Sequence, residues 1–246
     1  MARRTKEKRR TDAASMTVVQ HLSELRDRII VSLIAVALGA IVCFGFFPQI
    51  IDLMIRPYKA YNHGQPLIFT NALEAFLVRI KVASYGGFVL ASPVVFLQLW
   101  RFITPGLLPK EKRYAVPFVI SSVILFAGGA VVAVVTLPKA LQFLLGIGGH
   151  NLRPLLTAGS YLTLVFLMII AFGVSFEFPI LVVFLLLARV INTRQLRKVR
   201  KYTFLGIVIF AAVITPSQDP ISLFAMAIPM YVLYEVAILI GRLMKR

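Results

Sequence analysis

Long apolar runs separated by short basic segments dominate the chain. Ile29–Phe47 and Val82–Trp100 each hold 19 residues without a charge. At helical rise that is about 28 Å, enough to cross a hydrocarbon core. Further runs cover Tyr114–Leu137, Tyr161–Ala188, Tyr202–Thr215 and Ile221–Gly241. The fourth has 28 residues, roughly 42 Å if wholly helical, and so predicts tilt, a kink or projection, with Pro179 as the kink. The fifth has 14 residues before Pro216-Ser-Gln-Asp-Pro220 ends it; about 21 Å is too short for a bilayer of normal thickness. Pro93, in the second run, leaves the Val89 carbonyl without its helical donor, which predicts a kink. The pattern reads as an all-α membrane protein of six transmembrane helices, the fifth and sixth being the short ones.

The segments between the runs are less regular. Residues 1–15 form a basic tail with no apolar period, expected to be disordered or held on anionic lipid. Residues 16–246 make up the membrane domain. Thr17-Val-Val-Gln20 fits a capping box, and Leu22, Leu25 and Ile29 share one helical face, so a short amphipathic helix leads into the first span. Pro48 to Leu73 reads as a connection whose end, near Asn71–Val78, lies in the membrane interface; Arg79 and Lys81 then snorkel outward. A Gly-rich connection, Gly146–Asn151, follows the third span.

Composition sharpens this picture. Apolar residues make up 59% of the 246 residues and charged ones 15%, with a mean hydropathy of +0.85, well outside soluble norms. The net charge of +17 does not indicate nucleic acid, because the basic residues cluster at the ends of apolar runs. Of the 27 Lys and Arg, 21 fall before the first span, in 101–113, in 189–201 and at the C-terminus, against four on the opposite side. By the positive-inside rule both termini are cytoplasmic. The lone Cys43 permits no intrachain disulfide, and no cleavable signal peptide is evident. The Arg3-Arg4 and Arg9-Arg10 pairs lack the short core and cleavage site of an export signal.

Candidate chemistry is sparse. His21, His63 and His150 fall on two sides of the membrane with no catalytic or metal-ligand spacing, so neither enzyme nor metal or other cofactor is expected; His21 reads as an interfacial residue. Glu177 lies about 18 Å deep in the fourth span, where a lone carboxylate is costly. It is either a proton-sensitive or partner-binding site, or a neutral acid bonded to Ser175 or a neighbouring helix. Glu235 is expected to reach the basic C-terminus. Glu24 and Glu111 are acids in boundary segments that also carry Arg26 and Arg28, and Lys110, Lys112 and Arg113. Singly, each reads as a helix salt bridge (Glu24 with Arg28) or a solvated loop charge. Together, beside Trp100, Phe102 and Leu107, they suit recognition of guanidinium, which pairs bidentately with carboxylate.

In order and spacing the motifs resemble the TatC family, the C subunit of the twin-arginine protein translocase. They are His21-Leu-Ser-Glu-Leu-Arg26, Ser92-Pro93, Gln98-Leu-Trp-Arg-Phe102, Pro105-Gly-Leu107 with Glu111 and Arg113, Phe176-Glu-Phe-Pro179, Thr215-Pro216 with Asp219, and Ala227-Ile-Pro-Met-Tyr231. The resemblance covers Met16 to about Lys245 and implies a cupped bundle in the cytoplasmic membrane of a prokaryote. It implies that Glu24 and Glu111, with Leu22, Arg26, Trp100, Phe102, Pro105, Leu107 and Arg113, bind the paired arginines of signal peptides on folded cargo. Glu177 would lie on the concave face, and Thr215, Pro216, Asp219 and Ser222 where single-span partners of the TatA and TatB types pack. Self-association and lipid contact are implied as well, with transport driven by proton-motive force; no phosphate-binding Gly-Lys-Thr/Ser loop is present. The alternative is a proton-coupled small-solute transporter using Glu177, for which no convincing inverted repeat is visible.

Overall fold

The computed structural model describes residues 18–61, 67–103, 115–147 and 156–243. Nine helices are described: α1 (Val18–Gly45), α2 (Phe47–Tyr61), α3 (Ala72–Ile103), α4 (Ala115–Gly146), α5 (Ala158–Ser175), α6 (Phe178–Leu187), α7 (Thr193–Lys198), α8 (Arg200–Ile214) and α9 (Pro220–Leu243). No strand occurs among the described residues; Ile68 and Thr157 form an isolated bridge. Five stretches are long and apolar enough to cross a membrane: α1, α3, α4, α5 with α6, and α9. The chain is a multi-pass membrane protein. The fifth expected run is a helix, but the 15 residues of α8 rise only about 22 Å. At 24 residues, about 36 Å, α9 is not short, which corrects that expectation for the sixth run.

The second and third expected helices are longer than their apolar runs, reaching 72–103 and 115–146. The amphipathic lead-in and the first run are one helix, and the Asn71–Val78 stretch belongs almost wholly to α3. The connection expected from Pro48 holds an unforeseen helix, α2. Pro48 sits in its first turn, where a missing N–H costs nothing. Ile51, Met54, Ile55 and Tyr58 recur at helical spacing and pack into the core. At Pro93 the orphaned Val89 carbonyl accepts from Ser92 Oγ at 2.8 Å, so the preceding side chain replaces the N–H that proline lacks. The long fourth run breaks between α5 and α6, at Phe176 and Glu177, just before Pro179.

Close backbone approach holds the bundle together. A Cβ on Gly87 of α3 would stand 2.4 Å from the Ala40 backbone nitrogen of α1, and one on Gly129 of α4 would stand 2.5 Å from the Phe172 carbonyl of α5. Small residues permit such approach where lipid supplies no hydrophobic drive. Tyr161 in α5 donates to the Met54 carbonyl of α2 at 2.8 Å. An aromatic group of Phe96, Trp100, Phe118 and Phe126 ties α3 to α4.

The contacts sort the molecule into two ends. At one, Arg79 lies over the Phe44 ring (4.3 Å), Lys81 donates to Thr163 (3.3 Å), and Glu74 accepts from the Gly159 N–H (3.1 Å). The other end gathers the start of α1, the end of α3, the start of α4, α7, the start of α8 and the end of α9.

Candidate functional site

The second end holds the acid singled out at Glu24. The first turns of α1 place Gln20, Ser23, Glu24, Asp27 and Arg28 around an open recess of about 620 Å³. Glu24 Oε1 accepts from Arg28 Nη2 at 3.2 Å, the expected i to i+4 pair. Arg28 Nη1 donates to Gln98 Oε1 of α3 at 3.1 Å. The Glu24 carboxylate is 18% exposed, yet its Oε2 is buried and, among the described residues, has no partner; Arg28 Nε is in the same position. A carboxylate oxygen buried without a donor is costly, and a side-chain rotation would be needed to bring it to an arriving ligand. His21, one turn before Glu24, stacks on Phe102 with ring centroids 4.3 Å apart and planes 15° from parallel; Phe102 lines a neighbouring apolar groove that shares Arg28 with the recess.

The structure therefore brings Glu24 and Phe102 to one patch. Leu22 is exposed on the same helix, and Arg26 is exposed and paired with Asp27 at 3.0 Å. Trp100 lies apart from the patch surface. Its ring is buried, stacked on Phe118 at 4.5 Å, and its Nε1 donates to the Ser122 hydroxyl at 3.0 Å, so it braces the end of α3 from within. Pro105, Leu107, Glu111 and Arg113 lie outside the described residues, as do His63 and His150. Gln98 and the stacking role of His21 were not foreseen. An amide in an apolar run is the signal that could have found Gln98.

Glu177 sits at the N-cap position of α6, with no capping bond from its side chain. Its Oε1 is buried and unpartnered among the described residues, and the Ser122 hydroxyl of α4 lies beside the carboxyl. Ser175 is not its partner, because Ser175 Oγ donates to the Ala171 carbonyl at 2.6 Å. Glu235 pairs with Arg200 of α8 at 2.6 Å and accepts from Tyr231 at 3.2 Å; Lys245 and Arg246 of the expected basic C-terminus lie outside the described residues. In the Pro216–Pro220 turn, Thr215, Asp219 and Ser222 are buried and Pro216 half-buried. Thr215 Oγ1 donates to the Ala211 carbonyl at 2.8 Å, and Asp219 Oδ1 accepts the Ser222 N–H at 2.8 Å, capping α9. These side chains shape the turn, and the surface beside them is Val213, Ile214 and Gln218.

Residues 20–229 match the family model of the Sec-independent protein translocase protein (TatC). The chain belongs to the TatC family. It is 42% identical to the TatC protein of Frankia casuarinae over 97% of this chain and 69% of that protein. The TatC protein of Aquifex aeolicus is 38% identical, with 94% and 97% of the two chains covered, and that of Carboxydothermus hydrogenoformans 37%, with 94% of each. A crystal structure described as the twin-arginine translocase receptor TatC in DDM superimposes with a TM-score of 0.76 at 38% identity, covering 90% of this chain and 99% of that one. A second crystal structure, described as the twin-arginine translocase receptor TatC, gives 0.75 at 38% identity, covering 92% and 100%. TatC proteins are protein-translocase components, so the role is transport and not catalysis. Family membership also sets aside the small-solute transporter.

Proposed function

We propose that this TatC-family chain is the core and signal-peptide receptor subunit of a twin-arginine translocase in the cytoplasmic membrane of a prokaryote. In this reading six spans, with α8 as the short fifth, place both termini and the Glu24 recess in the cytoplasm, since the basic residues gather at that end. The observation that carries it is the half-satisfied Glu24 carboxylate, with Oε1 on Arg28 and Oε2 buried without a donor, near the His21–Phe102 stack. A signal-peptide guanidinium supplies a planar fork of donors to that carboxylate once the side chain turns outward, and its stem lies along the His21–Phe102 stack. Glu111 is proposed as the second acid, with Leu22, Arg26, Pro105, Leu107 and Arg113 around the peptide and Trp100 supporting from beneath. Glu177 serves as a polar point within the membrane. Single-span partners of the TatA and TatB types pack at the Thr215–Ser222 turn through its exposed neighbours.

Photo-crosslinking from positions 24, 102 and 111 to a twin-arginine signal peptide in native membranes tests the reading. Adducts are expected at all three, with loss when the peptide carries Lys-Lys in place of Arg-Arg. Equal crosslinking by both peptides, or adducts absent at position 24, would remove its basis.

A further inference from the structure

A second charged recess stands at the same end of the molecule, away from Glu24. Arg197 and Lys198 of α7, Arg200, Lys201 and Phe204 of α8, and Tyr231 of α9 line about 540 Å³. Four cations meet one carboxylate, Glu235, which is already bonded to Arg200 at 2.6 Å and to Tyr231 at 3.2 Å. Arg200 Nε is buried and has no partner among the described residues. The walls are fixed: the Tyr234 hydroxyl donates to the Leu196 carbonyl at 2.9 Å, joining α7 to α9, and Phe204 packs edge-on to Tyr231 at 5.3 Å.

Two features indicate the occupant. The excess positive charge calls for an anion. Below Lys201, Leu205 and Ile209 continue the same face of α8 at i+4 and i+8, both exposed and apolar. A free anion has no use for that apolar continuation, whereas a lipid needs both parts. We propose that this recess is a binding site for an anionic phospholipid. Its phosphodiester lies among Arg197, Lys198, Arg200 and Lys201, and its acyl chains run along Leu205 and Ile209. Basic pockets between membrane helices take such headgroups. The site requires only that this end of α8 lie at the bilayer surface, so it stands independently of signal docking. A headgroup held there anchors lipid against a helix whose length is about 22 Å, where the bilayer must thin to match it.

The test uses the full chain in detergent, titrated with palmitoyl-oleoyl phosphatidylglycerol or the matching phosphatidylcholine, with bound lipid read by native mass spectrometry. Each basic side chain near an anionic partner is worth about fivefold in affinity, so Lys198→Gln with Lys201→Gln is expected to weaken phosphatidylglycerol binding by about tenfold or more. Phosphatidylcholine binding stays unchanged. The charge-matched control is Arg194→Gln with Arg242→Gln, two exposed cations of the same end that do not line the recess; it is expected to stay within about twofold of the parent. No loss in the first pair, or equal loss in both pairs, overturns the site. Displacement of phosphatidylglycerol by equimolar inorganic phosphate overturns the lipid assignment in favour of a free anion.

Discussion

Glu24→Gln separates docking by charge from docking by shape. The amide keeps the volume of the side chain and can still accept from Arg28 Nη2, but it removes the negative charge and turns one acceptor into a donor. A hydrogen bond to a charged group contributes about 1.5–3 kcal/mol, so peptide affinity should fall roughly 10- to 100-fold. Arg28 makes the reasoning sharper. It occupies Oε1 at 3.2 Å and sets a like charge against the arriving guanidinium. Arg28→Gln should therefore tighten peptide binding by up to about fivefold, the scale of a partly exposed ion pair. In the double variant the part of the Arg28 effect that acts through Oε1 should vanish, leaving only the weaker like-charge repulsion. Fluorescence anisotropy of a labelled twin-arginine peptide on the protein in lipid nanodiscs reads all four states. Weaker binding by Arg28→Gln alone would place Arg28 among the ligand's own contacts and refute the competition argument. Unchanged binding by Glu24→Gln would refute docking by charge altogether.

Other consequences concern the scaffold. Gly87→Ala should lower the thermal midpoint in detergent, because its Cβ would press on the Ala40 backbone at 2.4–2.7 Å; overpacking of this kind costs about 1–3 kcal/mol. Gly128→Ala, which meets nothing within 4 Å, should leave the midpoint in place. Ser92→Ala should destabilise by about 1–3 kcal/mol by orphaning the Val89 carbonyl. In a Pro93→Ala background, where the backbone N–H returns, that cost should largely disappear, as a thermal double-mutant cycle can show. Asp219→Ala removes the cap of α9 and should cost about 0.5–2 kcal/mol, read as earlier unfolding of the variant in the same assay.

The apolar runs were legible from sequence, because the membrane demands some 20 apolar residues per crossing. So were the motif at Glu24 and the i to i+4 pairing with Arg28, both local along one helix. The α2 helix was not, since prolines and polar residues hide it until a tertiary core supplies a face for Ile51, Met54 and Tyr58. Nor was the division of labour among aromatics. Phe102 and Trp100 stand two residues apart on α3, about 200° around the helix, so one stacks on His21 while the other turns inward to Ser122. Glu235 meets Arg200, 35 residues away, because α8 folds back against α9. Sequence distance measures reach along a helix. Only the packing of α1 on α3 decides that Gln98, 70 residues away, holds Arg28 and leaves the second oxygen of Glu24 without a donor.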